Sequence, residues 1–154
     1  MSIALKASDI LARLPHRHPP MVLLDRVEDL NYGKSATGIK NITISDPVFQ
    51  GHFPPNNPPC TLASTLLKPR HSCAGSCWAP PLQVKTAPPS LGTWRQYANS
   101  SSSPVYPGDV LSIQARAGVS HANLADFSVD IKVSGKIVAS GSLALARIDP
   151  DPST

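Results

Sequence analysis

Leu111-Ser112-Ile113-Gln114-Ala115-Arg116-Ala117-Gly118-Val119 places an apolar residue at every second position. A period of two puts Leu111, Ile113, Ala115, Ala117 and Val119 on one face of an extended chain, so the stretch predicts a half-buried β-strand. Pro107-Gly108-Asp109 supplies the turn from which it starts, and Ser120-His121-Ala122-Asn123 the turn expected after it. The pattern then repeats. Val129, Ile131 and Val133 alternate with Ser128, Asp130, Lys132 and Ser134, and Ser134-Gly135-Lys136 turns the chain into a third run from Ile137 to Ile148. Three long strands joined by short turns predict an antiparallel meander. Its apolar face has to be covered by a helix or a second sheet.

The rest of the chain is read outward from this sheet. At 154 residues the protein is sized for one domain with a proper core. Its 41% hydrophobic and 16% charged residues place it among globular chains, although 17 prolines are roughly twice the usual share. No basic, apolar leader opens the sequence and no run of about 18 apolar residues occurs, so neither secretion nor membrane insertion is expected and a cytoplasmic setting is the default. Three cysteines make no disulfide framework, in keeping with a reducing compartment. The net charge of +4 comes from an asymmetry: no Asp or Glu lies between Asp46 and Asp109, where Lys68, Arg70, Lys85 and Arg95 are found. These four cations are dispersed, which favours a solvated segment over a patch for an acidic partner, and no nucleic-acid motif accompanies them.

Near the N-terminus, Ser8-Asp9-Ile10-Leu11-Ala12-Arg13-Leu14 reads as a short helix with Ser8 as N-cap and Asp9 at the positive end. Pro15 ends it. Met21-Val22-Leu23-Leu24 reads as a short buried strand, Tyr32-Gly33-Lys34 as a turn, and residues 35–42 as a second strand. Between these elements and the meander, residues 55–103 form an atypical interval that holds eight of the 17 prolines, all three cysteines and both tryptophans. No helical or strand period is evident in it, and a loop of that length inside one domain is itself anomalous.

Phe49-Gln50-Gly51-His52-Phe53-Pro54 is the stretch that most resembles chemistry. An imidazole exchanges protons near neutral pH, Gly51 lets the backbone approach a ligand, and Pro54 fixes the exit of the chain. A loop histidine is also commonly a surface or capping residue, and the hexapeptide alone leaves both readings open. His16 and His18, beside prolines, read as a polar turn. Cys60, His71, Cys73 and Cys77 lack the spacing of a zinc knuckle, so no metal site is expected.

Leu14-Pro15-His16-Arg17-His18-Pro19-Pro20-Met21-Val22-Leu23-Leu24-Asp25-Arg26-Val27, Lys40-Asn41-Ile42-Thr43 and Phe49-Gln50-Gly51-His52-Phe53-Pro54 together resemble the (3R)-hydroxyacyl-[acyl-carrier-protein] dehydratases of type II fatty acid synthesis. Pro104 to Leu111 and Gly135 to Ala139 resemble that family's later strands. The resemblance implies an α+β hot-dog fold spanning residues 1–148, in which a curved antiparallel sheet wraps a central helix, with 149–154 as a tail. It implies dehydration of (3R)-hydroxyacyl groups to trans-2-enoyl groups on acyl carrier protein, without cofactor, by a homodimer or homohexamer. His52 matches the family's histidine base, and the Gly51 and Phe53 backbone would shape the substrate site.

The family also sets a helix carboxylate against the histidine, about fourteen residues further on. Here Leu66, Leu67 and Lys68 stand in its place. A shifted codon frame accounts for this. If each codon is rebuilt from the last base of one residue and the first two of the next, Leu67-Lys68 permits Glu, Lys68-Pro69 Ala, Arg70-His71 Ala and His71-Ser72 Gln. The competing explanation is a Pro/Ser-rich insertion in place of the helix. A chain lacking the acid has a second functional reading, as an impaired or non-catalytic acyl-binding hot-dog subunit; a third is that the sheet, without a helix to cover it, does not fold stably.

Overall fold

The structure, a computed structural model, describes residues 3–13, 24–49, 61–62, 90–97, 103–121 and 124–148. The elements in order are β1 (Ile3–Lys6), α1 (Ala7–Arg13), β2 (Arg26–Asn31), β3 (Ser35–Asn41), a 3₁₀ turn (Pro47–Phe49), β4 (Thr61–Leu62), β5 (Ser90–Tyr97), β6 (Pro104–Val105), β7 (Val110–His121), β8 (Leu124–Val133) and β9 (Lys136–Ile148). Seven strands form one sheet in the order β1-β2-β3-β7-β8-β9-β5, and every pairing in it is antiparallel. A ribbon of β4 and β6 stands apart from it.

The expected meander is the centre of this sheet. Ile113 lies opposite Ile131 and Ala115 opposite Val129, while Ile131 faces Ala139 and Phe127 faces Leu143 on the other side. All of these are buried, and Ala36 on β3 extends the layer. Burying a side chain of this size contributes about 1.5–3 kcal/mol, and aligned cross-strand pairs make the burial mutual. The intervening positions face outward, where Arg116 Nη1 donates to Asp130 Oδ2 at 2.9 Å and Lys132 Nζ to Gln114 Oε1 at 3.0 Å. Val119, expected inside, is 62% exposed: the pairing shifts between Ala117 and Ser120, and a bulge ends the alternation there. The strand also runs on through His121, past the expected start of the turn; residues 122–123 lie outside the described residues.

The β8–β9 hairpin closes through Ser134 (φ 48°) and Gly135 (φ 81°), both in the left-handed region, between the paired Val133 and Lys136. Two successive positive φ angles match the twist of the flanking strands, as in a type I′ turn. Open space surrounds the Cβ position of Gly135, so the backbone angle alone carries the cost of a side chain there. Gly135→Ala is expected to lower stability by about 1 kcal/mol, read as a shift in urea midpoint with an unchanged slope.

Other boundaries differ from the sequence expectation. Leu24 is buried but lies before the strand, which runs from Arg26 to Asn31; residues 21–23 lie outside the described set. Asp29 adopts φ 50° where the β2–β3 register shifts, so the inward residues are Val27 and Leu30, three apart instead of two. The first helix begins at Ala7. Ser8 is therefore inside it and not its cap, and Asp9 reaches back to accept the Lys6 N–H at 3.0 Å, half of a capping box. Strand β1, adjoining β2 at the sheet edge, has no counterpart in the expectation. Within 55–103, where no strand period was evident, Ser90–Tyr97 pairs with β9 as β5. Its register shifts between Gly92 and Arg95, which breaks any alternation. The place expected for a central helix lies otherwise outside the described residues, as does the tail 149–154.

Candidate active site

Strand β3 ends in a cluster of polar contacts that positions the chain entering the histidine segment. Period two from Ala36 through Gly38 to Lys40 puts the Lys40 side chain on the inward layer, opposite the fully buried Leu111. Lys40 is 8% exposed and is the one charged residue buried among the described residues. An ammonium in such a place has to be hydrogen-bonded. Its Nζ donates to the Asn41 carbonyl at 2.6 Å and to Asp46 Oδ1 and Oδ2 at 3.3 and 3.5 Å.

Asp46 in turn organises the loop. Its Oδ2 accepts the Thr43 N–H at 2.8 Å, its own N–H donates to the Thr43 carbonyl at 3.0 Å, and its carbonyl accepts the Phe49 N–H at 2.9 Å. Phe49, at the end of the 3₁₀ turn, is 7% exposed and belongs to the main core. The loop is fixed from a second side. The Ile42 N–H donates to the Asp109 carbonyl at 2.9 Å and the Gly108 N–H to the Ile42 carbonyl at 2.8 Å. Gly108 takes φ 100° in a turn that Asp109 closes by accepting the Tyr106 N–H at 2.8 Å. Across the histidine segment the chain reappears as β4, where Thr61 pairs with the buried Val105 and Leu62 with Pro104. Residues 50–60 are thus bracketed by two anchors, Phe49 on the core and Thr61 on β6.

Gly51, His52 and Phe53 themselves lie outside the described residues, as do His16, His18, Cys60, His71, Cys73 and Cys77. Among the described residues no group of three or more His, Cys, Asp and Glu side chains is placed to hold a metal ion. No helix among them is long and apolar enough to cross a membrane. Lys40 and Asp46 were not singled out from the sequence. The available signal was the period of β3, which places a lysine on a face otherwise filled by Ala36 and Gly38.

The sequence profile of the FabA-like domain matches residues 14–62, the interval that leads from α1 through β3 and the loop to β4. Among solved structures, the dehydratase heterocomplex ApeI:P from Xenorhabdus doucetiae superposes with a TM-score of 0.64 at 16% identity over 91% of both chains. Cj0977, a sigma28-regulated virulence protein from Campylobacter jejuni, superposes with a TM-score of 0.63 at 15% identity over 96% of this chain and 94% of its own. The sheet is that of a hot-dog fold. Among curated proteins, the 3-hydroxyacyl-[acyl-carrier-protein] dehydratase FabZ of Pseudoalteromonas translucida is 34% identical over 145 residues, 94% of each chain. That of Brucella ovis is 37% identical over 144 residues, 91% of this chain and 88% of the relative. The chain belongs to the FabZ family of hot-dog dehydratases.

Proposed function

We propose that the protein dehydrates (3R)-hydroxyacyl groups carried on acyl carrier protein to trans-2-enoyl groups in fatty acid biosynthesis. The observation that carries this is the Gly51-His52-Phe53-Pro54 element, lying within the FabA-like match and between two anchored segments, in a chain whose FabZ relatives align along nearly its whole length. His52 takes the α-proton of the thioester, the electron pair left on the α-carbon forms the double bond, and the β-hydroxyl leaves with a proton as water. No redox change occurs and no cofactor is needed. The Gly51 and Phe53 backbone shapes the acyl site, and the acidic carrier protein is the partner that presents the substrate. The enzyme works in the cytoplasm as a homodimer or homohexamer.

Protonation of the departing hydroxyl calls for a second group, and the interval between Asp46 and Asp109 offers no carboxylate. We propose that the atypical interval is a helix-coding segment read in a shifted frame. Equal coverage supports this: an alignment spanning 94% of both this chain and a relative leaves little room for a long insertion. The family profile also stops at residue 62, close to where the shift would begin. Peptide masses across residues 55–103 matching the printed sequence, from an unshifted gene, would refute the frame shift.

The functional proposal is tested by titrating the purified chain with crotonyl-acyl carrier protein and following both binding and hydration. Turnover is expected. Saturable binding without turnover would mark a non-catalytic acyl-binding subunit instead.

A further inference from the structure

We propose that the Lys40–Asp46 pair is a latch that ties the loop after β3 into the cooperative unit of the sheet, so that residues 43–46 open only when the sheet does. The loop leaves the sheet at Ile42, whose N–H donates to the Asp109 carbonyl at 2.9 Å and whose carbonyl accepts the Gly108 N–H at 2.8 Å, and it rejoins the core at Phe49. Between these anchors residues 43–46 belong to no strand, and Ile44 stands 62% exposed. The Thr43 and Asp46 amides bond within the loop, Thr43 N–H to Asp46 Oδ2 at 2.8 Å and Asp46 N–H to the Thr43 carbonyl at 3.0 Å. Such bonds hold the shape of a turn without joining it to the sheet. That link is made by the Lys40 ammonium, which reaches Asp46 Oδ1 and Oδ2 at 3.3 and 3.5 Å from a strand paired on both sides.

The ammonium is itself held against the sheet. It donates to the Asn41 carbonyl at 2.6 Å, and the Asn41 N–H donates to Asp25 Oδ2 at 2.6 Å. A methionine opposite Leu111 would fill the inward layer without burying a charge, but it would make no contact with Asp46. Exposed loops without ladder bonds ordinarily open by themselves, at a small fraction of the cost of unfolding. Here opening has to break a charge-assisted contact on the inner side of the sheet, which is stronger than a neutral hydrogen bond and leaves a lysine with three donors facing one remaining carbonyl. Burial of Phe49 is the rival cause of a closed loop. The two separate by site, because Phe49 anchors the far end of the segment whereas Lys40 acts at Asp46, through which Thr43 is held.

The test is native-state hydrogen exchange of the full chain in increasing, sub-denaturing urea, comparing wild type with Lys40→Met, Asp46→Asn and the outer-face control Lys132→Met. In wild type the Thr43 and Asp46 amides are expected to exchange with the same urea dependence as the amides of β7 and β8, the mark of opening only with the sheet. Lys40→Met is expected to speed both loop amides by about 10- to 100-fold relative to the β7 and β8 amides of the same variant, and to remove their urea dependence. Ile42 and Gly108, bonded across to backbone, should keep their ratio to the sheet. Asp46→Asn, which keeps an oxygen acceptor for the Thr43 N–H and loses the charge, is expected to act at Thr43 in the same sense and less strongly; it decides the matter if Lys40→Met does not fold. Lys132→Met should leave every ratio unchanged. Loop amides that exchange freely in wild type would overturn the latch, as would a folded Lys40→Met in which loop and sheet rates keep their ratio. None of these readouts depends on turnover, so a failure of the dehydratase reading would leave them intact.

Discussion

His52→Ala is expected to lower kcat for crotonyl-carrier hydration by about 10² to 10⁴-fold, with little change in KM. The imidazole acts on a proton that moves only in the transition state, so its removal costs rate and spares the acyl and carrier contacts that set substrate affinity. Steady-state kinetics over a range of carrier concentrations separates the two parameters. His52→Asn is expected to fall in the same range, since an amide keeps some polarity at the position and cannot accept the proton. A loss confined to KM would mean that His52 binds substrate without transferring a proton.

Phe127→Ala is expected to have the largest effect on folding, a loss of about 3–5 kcal/mol. Phe127 is 2% exposed on β8, in the middle of the sheet, opposite Leu143 on β9 and Ala117 on β7. Ala125, two residues away on the same face, is small, and so is Ala117, so the ring fills space that its neighbours leave. Against a total stability of about 5–15 kcal/mol, such a loss leaves the chain marginal. Denaturant titration is the measurement, with Phe127→Leu as a reference expected to lose clearly less because most of the volume is retained. Equal midpoints for wild type and Phe127→Ala would mean that the inward layer is not the main core.

The sequence makes the centre of the meander legible because the period of two holds there. Along β8 the buried residues Ala125, Phe127, Val129 and Ile131 recur at every second position, and Ser134-Gly135 marks a tight turn into β9. Where a bulge intervenes, legibility is lost. Asp29 shifts β2 out of alternation, and the strand is then sought too early, in the apolar run that ends at Leu24. Val119 is placed on the wrong face for the same reason. Ser90–Tyr97 is stabilised by pairing along the side of β9 that β8 does not occupy, a tertiary cause that its own residues do not announce.

The candidate site divides in a similar way. Gly51-His52-Phe53-Pro54 is legible as a motif because its residue types carry the chemistry directly. Lys40 and Asp46 are six positions apart and meet only when the loop after β3 closes, so neither carries a local signal of its role. Their contact also explains why the loop can hold its course without regular pairing: carboxylate and ammonium replace the hydrogen bonds a strand would supply.

The dehydratase assignment is tested most directly by incubating the purified full chain with crotonyl-acyl carrier protein and measuring the intact mass of the carrier. A gain of one water on the acyl group, abolished in His52→Ala, is the expected result. A carrier bound to saturation and unchanged in mass would contradict the assignment.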